Sequence, residues 1–231
     1  MDFTKFAFIL ETRALFFSRL DLLGDPFEGA FPETQTPLNR VLELLPSHLT
    51  ANAVTINLHA GLDRSWEATR QWIHVSCWHC AEHESAAMWQ LYGRSNEAIA
   101  VRSTPRRLRR LVPQSPFITP PTEGHVPLHV GMIDYIDYDK DRIPPDFVTR
   151  AFRKRKSFEH ERELRAVFLD FPPSFTNEMV ADHRGRTVAV EPSDLIDAVF
   201  IAPQAAPWFA DLVRKTAERH VLSVSVPPVS G

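Results

Sequence analysis

Two glutamates and an arginine stand at alternate positions in Lys156–Leu169, which reads KSFEHERELRAVFL. We predict a strand over 161–169, and period-two alternation then puts Glu161, Glu163 and Arg165 on one face. Carboxylates two residues apart on a strand lie about 7 Å apart and disfavour joint ionisation, so we expect one raised pKa. The arginine can hold the other carboxylate ionised. The pattern predicts Glu163, Glu161 and Arg165 as catalytic residues, acting as a general base or stabilising charge. The alternative is a solvent-facing strand of mixed charge.

A second segment is crowded with possible metal ligands, namely His74, Cys77, His79, Cys80 and His83. Tetrahedral zinc takes four ligands, usually with a second pair far along the chain, and the sequence has no second cysteine pair. Alternation along a strand over 73–78 also turns Cys77 inward. We therefore expect no metal here and interpret the segment as a buried thiol among polar histidines.

Aromatic residues follow on a helix that we predict over 82–92. Ser85, Met88, Trp89 and Tyr92 fall at i, i+3, i+4 and i+7, which is one continuous face. Such a stripe is typical of core packing. Because an indole N–H and a phenol O–H seek partners when buried, Trp89 and Tyr92 can also wall a pocket.

Near the start of the chain, FFSRLDLLGDPFEG contains an Asp25-Pro26 turn signal. Arg19, Asp25 and Glu28 stand close together there, among phenylalanines. A surface turn with a local ion pair explains them, since such pairs are common and weak. The alternative is that this loop borders a pocket.

Two basic runs lie at Arg102–Arg110 and Arg150–Lys156. Runs of this kind are usually solvated helix faces, but they can also contact a phosphate or a nucleic-acid backbone. The net charge of −3 gives no general attraction to nucleic acid.

The composition is that of a globular protein: 231 residues, 44 % of them hydrophobic and 24 % charged, which predicts a single domain over 1–231. Two cysteines exclude a disulfide framework. We see no apolar run long enough for a membrane span and no signal peptide, so we expect a cytoplasmic protein with no membrane partner. A proline-rich stretch near 112–126 predicts a mobile loop.

Short strands and helices must position these residues. We predict strands over 15–18, 73–78, 97–102, 130–138, 161–169, 184–190 and 198–201, and helices over 3–10, 82–92, 144–158 and 207–220. The helix over 144–158 would leave Arg150, Arg153, Lys154 and Arg155 mostly facing solvent. The pattern predicts an α+β fold with a mixed, largely antiparallel sheet flanked by helices.

Four blocks, FFSRLDLLGDPFEG, VSCWHCAEHESAAMWQLYG, KSFEHERELRAVF and LIDAVFIAP, together resemble the bacterial family of domain of unknown function 2971. They run from about Phe16 to Pro203 in the family's order. The chain departs from the pattern at Gly24, where the family usually has Asn, and at Phe158, where it usually has Trp. The resemblance implies a fold and a site but no activity.

An early helix leading to IL…RALFFS, a middle strand with an aromatic block and a late E-x-E strand are also similar in layout to ADP-ribosyltransferases, which bind NAD in the cleft of a split β-sheet. That resemblance implies that Glu163 or Glu161 stabilises an oxocarbenium-like transition state. It implies that Trp89 and Tyr92 wall the nicotinamide pocket and that Arg19 or Arg165 holds a phosphate or ribose. Trp78 and Lys156 complete the predicted cofactor-binding residues.

These observations favour an enzyme that uses NAD or another nucleotide-like small molecule as substrate. The resemblance implies an ADP-ribosyltransferase-like protein of phage defence or a toxin, with a nucleic acid or a protein as acceptor. Two alternatives remain open. One is a nucleic-acid-binding or nucleic-acid-processing protein that uses the basic runs. The other is a non-catalytic regulatory module that uses its polar face as an interface.

Overall fold

The structure is a computed structural model that describes residues 1–30, 68–82, 88–90, 96–116, 124–144, 146–172, 180–220 and 222–225. It divides into two compact units. The first comprises Met1–Phe16, Cys80–Val112 and Thr187–Gly231, and the second comprises Phe17–His79 and Pro113–Arg186. The single domain over 1–231 stays a prediction. The predicted mobile loop lies partly outside the described residues.

The α-helices that lie wholly within the described residues are α1 (Phe3–Thr12), α2 (Pro105–Leu108), α3 (Phe147–Ala151), α4 (Pro192–Leu195) and α5 (Pro207–Glu218). The strands are β1 (Ala14–Arg19), β2 (Ile73–His79), β3 (Ile99–Arg102), β4 (His129–Met132), β5 (Asp134–Ile136), β6 (Arg153–Arg155), β7 (Glu163–Leu169), β8 (Gly185–Ala189), β9 (Ala198–Ile201) and β10 (Val224–Ser225). Short 3-10 helices cover Leu20–Leu22, Thr69–Trp72 and Lys156–Glu161. Within these residues, no helix is both long and apolar enough to cross a membrane.

The first unit contains a three-stranded sheet in the order β10-β9-β3. Strand β9 pairs antiparallel with β3 and parallel with β10. Helix α5 begins at Pro207, where a missing N–H costs nothing, and buries Phe209 and Val213. In the same unit, the Asp2 carboxylate caps α1 by accepting from the Lys5 N–H at 2.8 Å.

The second unit is built on a five-stranded sheet in the order β4-β7-β2-β1-β8, of which β1 and β8 continue into the first unit. Strands β2 and β7 pair antiparallel along their whole length, from Ile73 opposite Leu169 to His79 opposite Glu163. Strand β4 adds antiparallel to the outer edge of β7. The predicted α+β class with a largely antiparallel sheet is therefore confirmed.

The register gives the β2–β7 pair two distinct faces, because paired residues share a face and neighbours alternate. One, the glutamate face, carries Ile73, Val75, Cys77 and His79 of β2 and Glu163, Arg165, Val167 and Leu169 of β7. The other, the histidine face, carries His74, Ser76 and Trp78 of β2 and Leu164, Ala166 and Phe168 of β7.

The glutamate face changes character along its length. At one end lies a buried apolar cluster of Leu20, Ile73, Val75, Ala151 and Val167. Burying a leucine, isoleucine or valine side chain contributes about 1.5–3 kcal/mol. This packing fixes β2 against β7, so the polar residues at the other end of the same strands are held on a rigid support.

The predicted helix over 144–158 is wrong for most of its length. Helix α3 is capped by the Asp146 side chain and ends at Ala151. The chain then forms β6, which pairs in parallel with β5. This pairing turns Lys154 inward, where it is only 5 % exposed. Tertiary pairing thus overrides a helical pattern that local spacing favours.

The strand predicted over 161–169 begins two residues later, at Glu163. Glu161 ends the 3-10 helix, and Arg162 follows it in the left-handed region with φ of 43°. This kink separates the two glutamates, so their proximity does not come from strand alternation. It comes from a lysine that binds both.

Candidate active site

Five charged side chains meet at the polar end of the glutamate face. We call them the ionic cluster, and they are Glu28, Lys154, Glu161, Glu163 and Arg165. They come from β6, β7, the end of the 3-10 helix Lys156–Glu161 and the loop after β1. The structure therefore brings together the three residues predicted as catalytic.

Lys154 is at the centre of the ionic cluster. Its Nζ lies 2.6 Å from Glu161 Oε2, 3.0 Å from Glu163 Oε2 and 3.3 Å from Glu28 Oε1. Burial alone would lower the pKa of Lys154, but hydrogen bonds and attraction from these carboxylates outweigh burial and raise it. The lysine is therefore a fixed ammonium ion that ties three chain segments together.

Arg165 is fully buried beneath the carboxylates. Its Nε donates to Glu163 Oε1 at 2.5 Å, its Nη1 donates to the Ala151 carbonyl at 2.8 Å, and its Nη2 pairs with Glu28. The guanidinium thus uses its fixed fork of donors to hold two carboxylates and a backbone group in one geometry.

Glu163 is ionised and saturated with donors. Burial alone would raise the pKa of its carboxyl group, but Arg165, the Cys77 thiol and Lys154 outweigh burial and lower it. The shift is opposite to the raised pKa that close carboxylates suggested, because two buried cations accompany them. The Glu163 N–H also donates to Tyr135 Oη at 2.7 Å, which fixes the start of β7.

The ionic cluster carries excess negative charge, since three glutamates face one lysine and one arginine and leave a net charge of −1. It meets solvent at Glu161, whose side chain is 13 % exposed, against 6 % for Glu163. Nearby, the exposed His79 places Nδ1 at 2.6 Å from the Glu161 carbonyl oxygen. The arrangement can stabilise positive charge that develops beside Glu161.

The loop after β1 holds Glu28 in place. Asp25 accepts from the Phe27 N–H at 3.1 Å and pairs with the Arg155 guanidinium at 2.9 Å. Gly29 has φ of +71°, and a Cβ on it would overlap the buried Leu20 side chain. Because Asp25 and Glu28 are buried, the local surface ion pair suggested by the sequence is not formed, and the loop borders the candidate site instead.

Arg19 and Trp78 do not join the ionic cluster. Arg19 pairs in register with His74, so it lies on the histidine face. There it donates to Asp21 Oδ2 at 2.6 Å and to two backbone carbonyls. Trp78 lies on the same face, and its Nε1 donates to Ser76 Oγ at 3.1 Å. The structure therefore separates these two predicted cofactor-binding residues from the predicted carboxylates by the thickness of the sheet.

The remaining predicted cofactor-binding residues have three different positions. Lys156 is exposed at the start of the 3-10 helix Lys156–Glu161. Trp89 is half-buried in the helical residues 88–90 of the first unit. Tyr92 lies outside the described residues.

Sequence reasoning missed Lys154 and connected Glu28 with the wrong partner. A turn signal, Asp-Pro-Phe-Glu-Gly, marked the loop of Glu28 and was the available cue. Nothing in the sequence distinguishes Lys154 from its basic neighbours, because its role depends on the pairing of β6 with β5.

The histidines and cysteines of β2 do not converge. His74 lies on the histidine face, whereas Cys77 and His79 lie on the glutamate face. Cys77 shares the face of Ile73 and Val75 as predicted, but its side chain is exposed, so the expected buried thiol is not found. Among the residues that the structure describes, no three His, Cys, Asp or Glu side chains are placed to hold a metal ion.

The histidine face contains a paired set of imidazoles. His74 Nε2 lies 3.1 Å from His183 Nε2, and the planes of the two rings are within 14° of parallel, with centroids 5.4 Å apart. The rings therefore meet nitrogen to nitrogen, and one of the two must carry the shared proton. Burial, with the charges of His183 and Arg186, lowers the pKa of His74 to about 3.

The second basic run is largely used within the fold, and so is part of the first. Lys154 is in the ionic cluster, Arg155 pairs with Asp25, and Arg153 pairs with Asp134. In the first unit, Arg107 donates to the Ser193 and Asp194 carbonyls at the end of α4. The second run therefore does not form the exposed basic stripe that a nucleic-acid backbone would need.

The chain matches no protein-family model, no curated protein and no solved structure.

Proposed function

We propose that the chain is an enzyme of ADP-ribosyltransferase type, which cleaves the bond between nicotinamide and ribose in NAD or a related nucleotide. The observation that carries the proposal is the fixed excess of negative charge in the ionic cluster, which reaches solvent at Glu161. The similarity in layout to ADP-ribosyltransferases favours the same activity.

The proposed reaction breaks the bond between ribose C1′ and the pyridinium nitrogen. The bonding electron pair leaves with nicotinamide, which becomes neutral, and positive charge develops on the ribose. An acceptor nucleophile then bonds to C1′ and loses its proton. A carboxylate held beside C1′ stabilises the oxocarbenium-like transition state, because its orientation is fixed before the reaction begins.

Glu161 is the carboxylate that we assign to this role. Lys154 holds one of its oxygens, Oε2, at 2.6 Å, and the side chain reaches solvent. Glu163 is a positioning residue, since both of its oxygens accept hydrogen bonds from Arg165 and Lys154 in the interior. Arg165 likewise acts through the carboxylates that it orients.

The acceptor is a nucleic acid or a protein, and use in phage defence or as a toxin fits the similarity in layout to ADP-ribosyltransferases. The two alternatives are less well supported. The nucleic-acid-binding alternative is weaker because Lys154 and Arg155 of the second basic run form ion pairs within the fold. A regulatory interface would place the glutamates on an exposed surface, whereas Glu163 and Glu28 are buried.

The test is a calorimetric and thermal-shift titration with NAD. Saturable binding should raise the melting temperature by mass action, and nicotinamide should be released in the presence of an acceptor extract. No binding and no nicotinamide release at millimolar NAD would reject the proposal. Binding to RNA or DNA that weakens steeply with salt would then favour the nucleic-acid alternative.

A further inference from the structure

An exposed aromatic ring beside the ionic cluster is held in a fixed position. Phe27 is 44 % exposed, although large apolar side chains are usually covered. The Arg155 guanidinium lies over its ring at 4.5 Å from the centroid, and the Tyr138 ring meets it edge-on at 6.0 Å. Tyr138 Oη also donates to the Phe27 carbonyl at 2.9 Å. The ring is thus supported by its neighbours while part of it remains open to solvent.

A second ring connects this position to the carboxylates. The Arg155 guanidinium also lies 5.3 Å from the Phe158 centroid, and Lys154 Nζ lies 5.0 Å from the same ring. Phe158 and Glu161 stand at i and i+3 of one 3-10 helix, where side chains eclipse one another. We call Phe27, Arg155, Phe158 and Glu161 the aromatic rim.

The charge of the aromatic rim favours a cation. Two hydrogen bonds from Arg155 to Asp25, at 2.9 and 3.0 Å, neutralise the guanidinium between the rings. The adjoining ionic cluster has a net charge of −1, since three carboxylates face two cations. An aromatic face next to excess negative charge attracts a planar cation through both its quadrupole and the carboxylate.

We propose that the open part of Phe27 binds a planar cationic heteroaromatic ring and that Glu161 makes the site prefer the cation over a neutral ring of the same shape. The inference rests on the proposed function, in which this ring is the pyridinium end of the nucleotide. It assigns ring recognition to Phe27, a residue that the sequence did not single out for binding.

The experiment is a ligand-observed NMR titration with two nearly isosteric probes, 1-methylnicotinamide, which is a cation, and nicotinamide, which is neutral. Wild-type protein should bind the cation more tightly. Phe27→Ala should weaken binding of the cation about 2–5-fold or more, as expected for a cation–aromatic contact near solvent. Glu161→Gln should abolish the preference for the cation while leaving nicotinamide binding unchanged.

Phe8→Ala is the matched control, because Phe8 is a 39 % exposed phenylalanine on α1 in the first unit. Phe27→Leu keeps apolar bulk without the ring and serves if the alanine variant unfolds. Equal binding of the cation by wild type and both Phe27 variants, or equal affinity of wild type for the two probes, would overturn the inference.

The experiments distinguish failure of the Phe27 inference from failure of the proposed NAD cleavage. Nicotinamide release from NAD at an unchanged KM in Phe27→Leu would overturn the role of Phe27 and leave the activity standing. Phe27-dependent binding of the cation by a protein that does not cleave NAD would support the recognition site and reject the activity.

Discussion

Lys154 Nζ and Glu163 Oε2 lie 3.0 Å apart in the interior of the second unit, where both side chains are almost completely buried. The contact joins β6 to β7, and through Glu161 and Glu28 it also fixes a 3-10 helix and the loop after β1. The site therefore depends on one lysine for its geometry, and removing that lysine should separate the carboxylates from their support.

Lys154→Met should lower the free energy of unfolding by about 3–5 kcal/mol, because it leaves Glu28 and Glu163 with Arg165 alone and removes the partner of Glu161 in the ionic cluster. Lys156→Met is the matched control, since Lys156 is exposed two residues away, and it should change stability by about 0.5 kcal/mol or less. Urea denaturation measures both. Equal stability of the two variants would show that Lys154 does not support the cluster.

Gly29→Ala should destabilise the protein by about 1–3 kcal/mol, because the residue has φ of +71° and its Cβ would overlap buried Leu20. Gly24→Ala lies in the same loop with nothing near its Cβ and should have little effect. Thermal denaturation compares the two. A loss that is equal at both glycines would argue against the close approach of Gly29 to Leu20.

Local alternation was sufficient to predict part of the site. It placed Glu163 with Arg165 on one face of β7 and Trp78 with His74 on one face of β2, and both placements are correct. These facts depend only on the two-residue period of a strand.

The rest of the site depends on pairing between strands that are far apart in the sequence. The histidine-face position of Arg19 follows from its register with His74, which local sequence does not encode. Lys154 reaches the glutamates because β6 pairs with β5, although the sequence pattern predicted one continuous helix over 144–158. Non-local contacts therefore explain why the helix prediction was wrong and why Lys154 was not predicted as a site residue.

The stability of the protein should decrease as the pH is lowered, because His74 is protonated more readily in the unfolded chain. Its pKa is about 3 when folded and 6.5 in its ordinary state, so the unfolded chain binds one more proton between these values. The free energy of unfolding should therefore fall by up to about 1.4 kcal/mol per pH unit as pH decreases below 6.5. Urea denaturation at pH values from 5 to 7 measures the slope above the range in which carboxyl groups dominate.

His74→Asn should flatten this slope, whatever it does to stability at neutral pH, because the titrating imidazole is gone. His160→Asn is the control, since His160 is an exposed histidine of the same unit, and it should keep the wild-type slope. An unchanged slope in His74→Asn would show that another group causes the acid sensitivity.

The proposed roles are Glu161 as the reacting carboxylate and Glu163 as a positioning residue. The most direct test of these roles is NAD cleavage by three glutamate-to-glutamine variants, with unfolding measured on the same samples. Glu161→Gln should lower kcat at least 100-fold while losing less stability than Glu163→Gln, because the Glu161 side chain reaches solvent. Glu163→Gln should lose about 1–3 kcal/mol of stability, because it removes a buried carboxylate that accepts from Arg165 and Lys154. Glu159→Gln, an exposed position of the same 3-10 helix, should match wild type in both. Wild-type turnover by a folded Glu161→Gln variant would contradict the assignment of Glu161 as the reacting carboxylate.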